Sequence, residues 1–528
     1  MSNMQRTGHS RKRGTRKAGI VYIVGAGPGD PGLITVRGLE CLRTCDVVVY
    51  DHLASPTLLD AVPTTAERIY VGKQAARHTL KQAEINRLLV ERARAGQRVV
   101  RLKGGDPMIF GRGGEEAEEL AAAGVKFEII PGITAALGAA AYAGLPLTHR
   151  KLASSVTFVT GHEDPTQMRS DIPWDLLGRA GGTLVFFMGV GRLEGLLEEL
   201  VWHGRSPQTP AAVVEWATLP RQRTAAGTVA TIARRAREAG IQPPALLIVG
   251  EIVRLRRRLA WFESRPLFGR RILVTRSRHQ ASDLRRRLEE LGAEVIEFPT
   301  IRLVPPRSDR CMREAARHLA RYDWVVFASA NAVERFVEVV LEENGGDIRA
   351  LGHARIAAIG PATRQAIERY HLAVAVQPDR YLAEEVVVAM NAAGDLSGAR
   401  VLVPRAERAR EVLPEGLRRA GARVDVVPVY RTVVDKPANA REIIRDLVAG
   451  RIAMVTFTSS STVTNFVRVV GVKRIRKVAG KTRLASIGPI TSQTLRTHGL
   501  EPTAEAKDYT IDGLVAAIRR CFRSRRQE

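Results

Sequence analysis

The distal half of the chain is written twice. RILVTRS at 271–277 returns as RVLVPRA at 400–406, and LGAEVIEFPTI at 291–301 returns as AGARVDVVPVY at 420–430, both at an offset of 129. FASANAVERF from Phe327 pairs with FTSSSTVTNF from Phe457 at an offset of 130, and IGPAT from Ile359 pairs with IGPIT from Ile487 at 128. Four matches in one order at nearly one spacing predict duplicated α/β units, each long enough to bury its own sheet, unlike a solenoid repeat. Two similar lobes form a cleft. Hydroxyls at the strand ends, Ser329, Thr363, Thr458, Ser459 and Thr491, are candidates to donate hydrogen bonds to carboxylates in it. Because they stand at strand-to-helix junctions, the same hydroxyls can instead cap helices.

The proximal half alternates apolar strand, glycine-rich loop and helix, the rhythm of α/β architecture. Strands are expected at 20–24, 47–50, 99–102, 127–130, 156–160, 184–187 and 246–249, with helices from near Ile34 and over 115–123. Pro266 and Gly269, just ahead of a fresh strand at 271–274, mark a domain seam.

Residues 103–116, KGGDPMIFGRGGEE, gather glycines around an aspartate and an arginine at a strand end. Glycine allows close backbone approach and the charges fix orientation, so this is a ligand-contacting loop. It is not a phosphate cradle: G-x-x-x-x-G-K-[ST] is absent, and Asp106 would repel phosphate. The loop GAGPGD at 25–30 lacks the third glycine of a dinucleotide fingerprint, having Asp30 there, and Pro28 removes an amide donor. With Asp106 able to accept from a ribose or ammonium group, these loops suit a nucleoside carrying an amino acid better than one carrying phosphates. Asp51, after the strand at 47–50, is either a functional acceptor for ring N–H groups or a helix cap. Lys73 and Arg112 can neutralise substituent carboxylates, and His149 and His162 are candidate bases that can equally be structural.

At 528 residues and 45% apolar composition the chain has material for three or four domains. Its net charge of +26 attracts polyanions. Aromatic residues make up only 5% and no nucleic-acid-binding motif occurs, which argues against nucleic acid and leaves a polycarboxylate substrate or a generally arginine-rich composition. Four cysteines, Cys41, Cys45, Cys311 and Cys521, have neither metal-ligand spacing nor a disulfide framework, so no metal is expected and the thiols fit a reducing compartment. The basic first seventeen residues lack the apolar stretch of a signal peptide and no apolar run reaches a membrane span. A disordered tail at 1–18 and a cytoplasmic, membrane-free location are the expectations.

Residues from about 20 to 262 resemble uroporphyrinogen-III C-methyltransferase, through VYIVGAGPGDPGLIT, VVVYD, RVVRLKGGDPMIFGRGGEE, PGIT, GLPLTHR, VTGH and TLVFFMG in that order. The resemblance implies two α/β domains around a deep trough, a homodimer formed through this half, and S-adenosylmethionine as donor for two methylations of uroporphyrinogen III, at C2 and C7, giving precorrin-2. It implies that Gly25, Pro28, Gly104, Gly105, Asp106, Ile109, Thr134, Ala135, Met188 and Ala217 surround the donor. It further implies that Asp51, Lys73 and Arg112 serve substrate binding or turnover. Ala135 stands where the family often has serine, and Ala217 where close relatives can have glycine.

Residues from about 269 to 520 resemble uroporphyrinogen-III synthase, through ILVTR, GAEVIEFPTI, VPVYRT, FTSSSTV, ASIGPITSQTL and YTIDGL. This resemblance implies two flavodoxin-like lobes and the conversion of hydroxymethylbilane to uroporphyrinogen III, with loss of water and inversion of the terminal ring. Tyr430 then assists departure of the hydroxyl, while Thr458, Ser459, Ser460 and Thr491, with Tyr509 as a weaker candidate, contact substrate. The resulting domain plan is a tail at 1–18, methyltransferase domains at 19–150 and 151–262, and a linker at 263–269. A discontinuous lobe at 270–301 and 431–520, a continuous lobe at 302–430 and a tail at 521–528 follow. The competing reading is a related precorrin methyltransferase joined to a non-catalytic tetrapyrrole-binding module.

Overall fold

The structure, a computed structural model, describes residues 19–72, 80–161, 171–276, 278–435, 437, 439–478 and 480–523. Lys73, His162 and the segments 1–18 and 524–528 lie outside the described residues. The last helix, Ile511–Arg523, takes in the first three residues of the segment read as a C-terminal tail. The chain divides into two compact units, Met1–Arg270 with Leu288–Glu294, and Arg271–Arg287 with Val295–Glu528.

In the first unit, strands β1 (Ile20–Gly25), β2 (Val47–Tyr50), β3 (Glu67–Tyr70), β4 (Arg98–Lys103) and β5 (Lys126–Ile130) form a sheet of order β3-β2-β4-β1-β5. All its pairings are parallel. A parallel sheet is covered on both faces, and the two faces here carry separate apolar clusters, one around Val24, Leu42 and Leu102, the other around Ile23, Leu89 and Leu120. Parallel pairing also brings the carboxyl ends of β2, β4, β1 and β5 to one edge, where a doubly wound sheet holds its ligands.

The second sheet comprises β6 (Val156–Thr160), β7 (Thr183–Phe187), β8 (Pro210–Glu215), β9 (Arg223–Thr228) and β10 (Ala245–Val249), in the order β6-β7-β10-β8-β9. Only β6 and β7 run parallel. The helix Ala135–Ala143 packs its small side chains Ala136, Ala139, Ala140 and Ala143 into the core of this second sheet. Alanine lets the helix approach closely, so the loop leading into it stands between the two sheets.

The second unit has two sheets. Strands β11 (Arg271–Val274), β12 (Glu294–Glu297), β18 (Met454–Phe457), β19 (Arg483–Ser486) and β20 (Ala504–Glu505) have the order β12-β11-β18-β19-β20. Strands β13 (Ile301–Val304), β14 (Trp324–Phe327), β15 (Arg355–Ala358), β16 (Arg400–Ala406) and β17 (Arg423–Val434) have the order β13-β17-β16-β14-β15. Laying the sequence repeat on these orders matches β11 to β16, β12 to β17, β18 to β14 and β19 to β15. An isolated parallel bridge from Ala357 to Val376 stands where β20 does. Numbered by the repeat, both sheets follow the 2-1-3-4-5 order of a flavodoxin-like fold, the second with β13 added beyond β17 and the bridge in fifth place.

The two sheets do not each belong to one copy of the repeat. The first sheet takes β11 and β12 from one copy and β18 to β20 from the other, and the second sheet takes the complementary strands. The exchange runs through an antiparallel ribbon in which β13 pairs with the long β17, Ile301 opposite Val434 and Val304 opposite Arg431.

Candidate active sites

In the first unit three glycine loops meet at the sheet edge. A Cβ on Gly25 would lie 2.6 Å from both Cα and N of Gly132 and 2.8 Å from the Gly105 carbonyl oxygen, closer than real Cβ atoms come. Gly27 and Gly105 exchange backbone hydrogen bonds, at 3.2 and 2.8 Å. Gly104 leaves no room either, since its Cβ would stand 2.5 Å from the Leu53 Cβ. Only glycine permits this convergence, and it exposes main-chain groups to anything bound above.

The sequence predicts Asp106 as an acceptor for a ligand. Its carboxylate is engaged by the protein: one oxygen accepts the Met108 amide at 2.8 Å and the other the Gly132 amide at 2.9 Å. Asp106 thus fastens its own loop to the PGIT loop, which ends in the buried Thr134 and leads into Ala135. Pro28 lies over Gly138 of the following helix, where a Cβ would come within 2.5 Å of the ring. The carbonyl oxygen of Ala217 is 3.3 Å from the Cβ position of Gly29. Thr218 Oγ1 accepts the Asp30 amide at 2.9 Å, and the Tyr142 hydroxyl donates to Asp30 at 2.6 Å, which with burial pushes that phenol upward.

Beside Ile109 and Met188, both exposed, the rings of Phe110 and Phe187 stand 4.9 Å apart. Five non-glycine residues on these loops have positive φ: Phe110 at 53°, Arg112 at 60°, Met188 at 56°, Trp216 at 45° and Thr218 at 73°. Strained backbone of this kind persists where surrounding contacts hold it, and it concentrates at functional sites.

Asp51 follows β2. One oxygen accepts the Leu53 amide at 3.0 Å and the other accepts Arg101 Nη2 at 3.3 Å. Arg112 stands half exposed and pairs with Glu115 through two bonds of 2.8 and 2.6 Å, which hold the Glu115 carboxyl below its ordinary range. His149, a candidate base, closes a turn: its Nδ1 accepts the Lys151 amide at 3.3 Å.

Sequence reasoning missed what lies beneath Asp51. Glu116 is fully buried, and its Oε1 accepts Lys103 Nζ at 2.7 Å, Arg101 Nε at 3.1 Å and Gln82 Nε2 at 3.1 Å. Burial, with Arg101 beside it, pulls the Lys103 ammonium below its ordinary value. The available signal was RVVRLK, where Arg101 and Lys103 occupy buried positions of a strand covered on both faces.

In the second unit Tyr430 sits in β17 beside a bulge. Register slips there, Arg405 facing Pro428 and Ala406 facing Tyr430, and a bulge re-aims the side chains next to it. The Tyr430 hydroxyl lies 3.3 Å from Ser329 Oγ. Ser329 and Ser459 both cap the helices they precede, accepting from Ala332 at 3.2 Å and Thr462 at 3.4 Å. Ser460 donates to the Ile490 carbonyl at 3.4 Å and accepts from Thr494 at 2.8 Å, fastening two helix starts together. Thr458 is half buried, whereas Thr363 and Thr491 are each only 4% exposed, so their hydroxyls lie behind the surface. Tyr430 and residues 458–460 stand on different sheets.

Tyr509, exposed, covers Gly488, its ring carbon 2.9 Å from the Cβ position. Tyr381, which sequence reasoning missed, covers Gly360 in the same way at 3.3 Å. Among the described residues no group of three or more His, Cys, Asp or Glu can hold a metal ion, and no helix is long and apolar enough to cross a membrane.

The family described as Tetrapyrrole (Corrin/Porphyrin) Methylases matches residues 20–233, and the family described as Uroporphyrinogen-III synthase HemD matches residues 282–516. The porphyrin biosynthesis protein HemD of Ruminiclostridium josui is 37% identical over 502 residues, covering 94% of this chain and 95% of that one. The uroporphyrinogen-III C-methyltransferase of Bacillus subtilis is 41% identical over 363 residues, 69% of this chain and 74% of that protein. Among solved structures, the uroporphyrin-III C-methyltransferase of Thermus thermophilus complexed with S-adenyl homocysteine is 43% identical, with a TM-score of 0.39, covering 44% of this chain and 99% of that one.

Proposed function

The chain belongs to the family of the Ruminiclostridium josui porphyrin biosynthesis protein HemD, with a tetrapyrrole methylase ahead of a uroporphyrinogen-III synthase, and from that premise we propose its two reactions. The distal half cyclises hydroxymethylbilane to uroporphyrinogen III, and the proximal half methylates that product twice, at C2 and C7, to precorrin-2. The observation that carries the methylation reading is the convergence of Gly25, Gly105 and Gly132 into one cradle at a sheet edge, so close that a Cβ on Gly25 or Gly132 would strike the facing backbone.

S-adenosylmethionine fits that cradle. Gly25, Pro28, Gly104, Gly105, Thr134, Ala135 and Ala217 offer main-chain contacts, Ile109 and Met188 an apolar wall, and Asp106 keeps two of the loops in register. When bound, the donor supplies a sulfonium methyl that is already electrophilic. The protein's task is then alignment and exclusion of water. Asp51 accepts pyrrole N–H groups and stabilises positive charge developing in the macrocycle. Arg112 and Lys73 neutralise substituent carboxylates.

In the synthase half Tyr430 donates a hydrogen bond to the departing hydroxyl. Residues 458–460 hold substrate carboxylates, and Thr491 contributes its main-chain amide near a helix start. The substrates carry eight carboxylates, which gives the charge of +26 an electrostatic use. We further assign the protein to the cytoplasm, as a homodimer through its methyltransferase half, without nucleic-acid or membrane partners.

Each reaction has its own test. Uroporphyrinogen III with S-adenosylmethionine should yield a dimethylated product whose carbon magnetic resonance gives C2 and C7; methylation elsewhere means a different precorrin methyltransferase. Hydroxymethylbilane alone should yield the type III isomer, and a yield no better than buffer means a non-catalytic binding module.

A further inference from the structure

Four charges lie in one chain of contacts from the interior to Asp51. Lys103 and Arg101 both bond Glu116, and Arg101 alone reaches on to Asp51. The side chains of Lys103 and Arg101 are 5% exposed and that of Glu116 not at all, whereas that of Asp51 is 22% exposed. Two cations and two anions make the set neutral. Arg101 cannot turn away, because its Nη1 also donates to the Leu102 carbonyl at 3.0 Å. Glu116 Oε2 has no hydrogen-bond partner among the described residues, so this carboxylate is held entirely through one oxygen. A buried carboxylate is costly unless its charge is matched, and here the matching cation also sets the next carboxylate in the line.

We propose that Glu116, Arg101 and Lys103 are positioning residues for methylation, a buried charge balance that fixes the orientation and strength of Asp51 as an acceptor. The inference rests on the methyltransferase reading given above. Glu116 limits how strongly Arg101 draws on Asp51. Without its charge, Arg101 and Lys103 together hold Asp51 against the protein and away from substrate N–H groups. Without Arg101, Asp51 loses its orienting partner, and Lys103 is left as the one cation of the set against two carboxylates. Other titratable groups around the set are Tyr50, His52 and Tyr70 on the Asp51 side, and Arg112 and Glu115 at the start of the helix that carries Glu116, where Arg112 feels the charge of Glu116 and Glu115 that of Lys103.

The test uses the full chain, with uroporphyrinogen III and S-adenosylmethionine. Glu116→Gln should lower kcat about tenfold and move the acid limb of the pH profile downward, while Arg101→Met should move it upward, each by about one pH unit. Arg101→Lys keeps the charge but cannot span both carboxylates, so it should correct the limb without restoring kcat. Lys103→Met with Glu116→Gln removes a compensating pair, so it should recover more than half of the kcat lost by Glu116→Gln alone and raise its unfolding temperature. Limbs that move together, or a double variant no better than the single, would overturn the proposal while wild-type methylation stands. Absence of wild-type methylation would instead overturn the methyltransferase reading.

Discussion

The Tyr430 phenol stands 3.3 Å from the Ser329 hydroxyl, and that hydroxyl also accepts the Ala332 amide at the start of the next helix. A helix cap thus orients the candidate catalytic tyrosine. Tyr430→Phe should slow cyclisation about tenfold or more, with urea unfolding unchanged. Ser329→Ala should cost about 1 kcal/mol in urea unfolding and slow cyclisation less than Tyr430→Phe does.

Gly25→Ala forces a methyl group into the Gly132 backbone. The variant should lose about 2 kcal/mol or more of stability. Calorimetry should detect no binding of S-adenosylmethionine. The distal reaction, carried by other sheets, should persist.

Asp51→Ala should cut methylation about a hundredfold while cyclisation keeps its wild-type rate, both measured on one preparation by product chromatography. Loss of both activities in a folded chain would contradict independent sites.

Burial pushes the Cys45 thiol up to about 11 from its ordinary 9.0 and raises Cys41 as well. The sign follows from proton counts: between these values the folded chain keeps protons that the unfolded chain has lost. Stability from this source is full below about pH 9 and is lost as pH rises to about 11. Unfolding midpoints taken across that interval should fall, and Cys45→Ala should flatten the fall. A thiol reagent at neutral pH should label the exposed Cys311 and spare Cys41 and Cys45 until the chain unfolds.

Strands were legible because parallel sheets need β-branched runs such as VVVY at Val47–Tyr50, and such runs admit few other structures. The duplication was legible too. What the residues of the repeat did not disclose is that its copies exchange strands: β12 and its counterpart β17 look alike in sequence, and only the pairing of Ile301 with Val434 carries the chain across. The glycine loops were legible because the use of glycine is local. The charge set under Asp51 was not, since Arg101, Lys103 and Glu116 meet only when the strand and the helix Gly113–Ala122 pack. Tyr381 escaped because YLAEEV shares little with YTIDGL beyond its tyrosine, although both tyrosines stand over equivalent glycines.

On the function proposed above, one chain performs both steps in sequence. The measurement is to supply the purified full chain with hydroxymethylbilane and S-adenosylmethionine, adding no separate synthase, and to identify the product by mass and carbon magnetic resonance. Precorrin-2 as the main product is the predicted result; methylated or unmethylated type I uroporphyrinogen as the main product would contradict it.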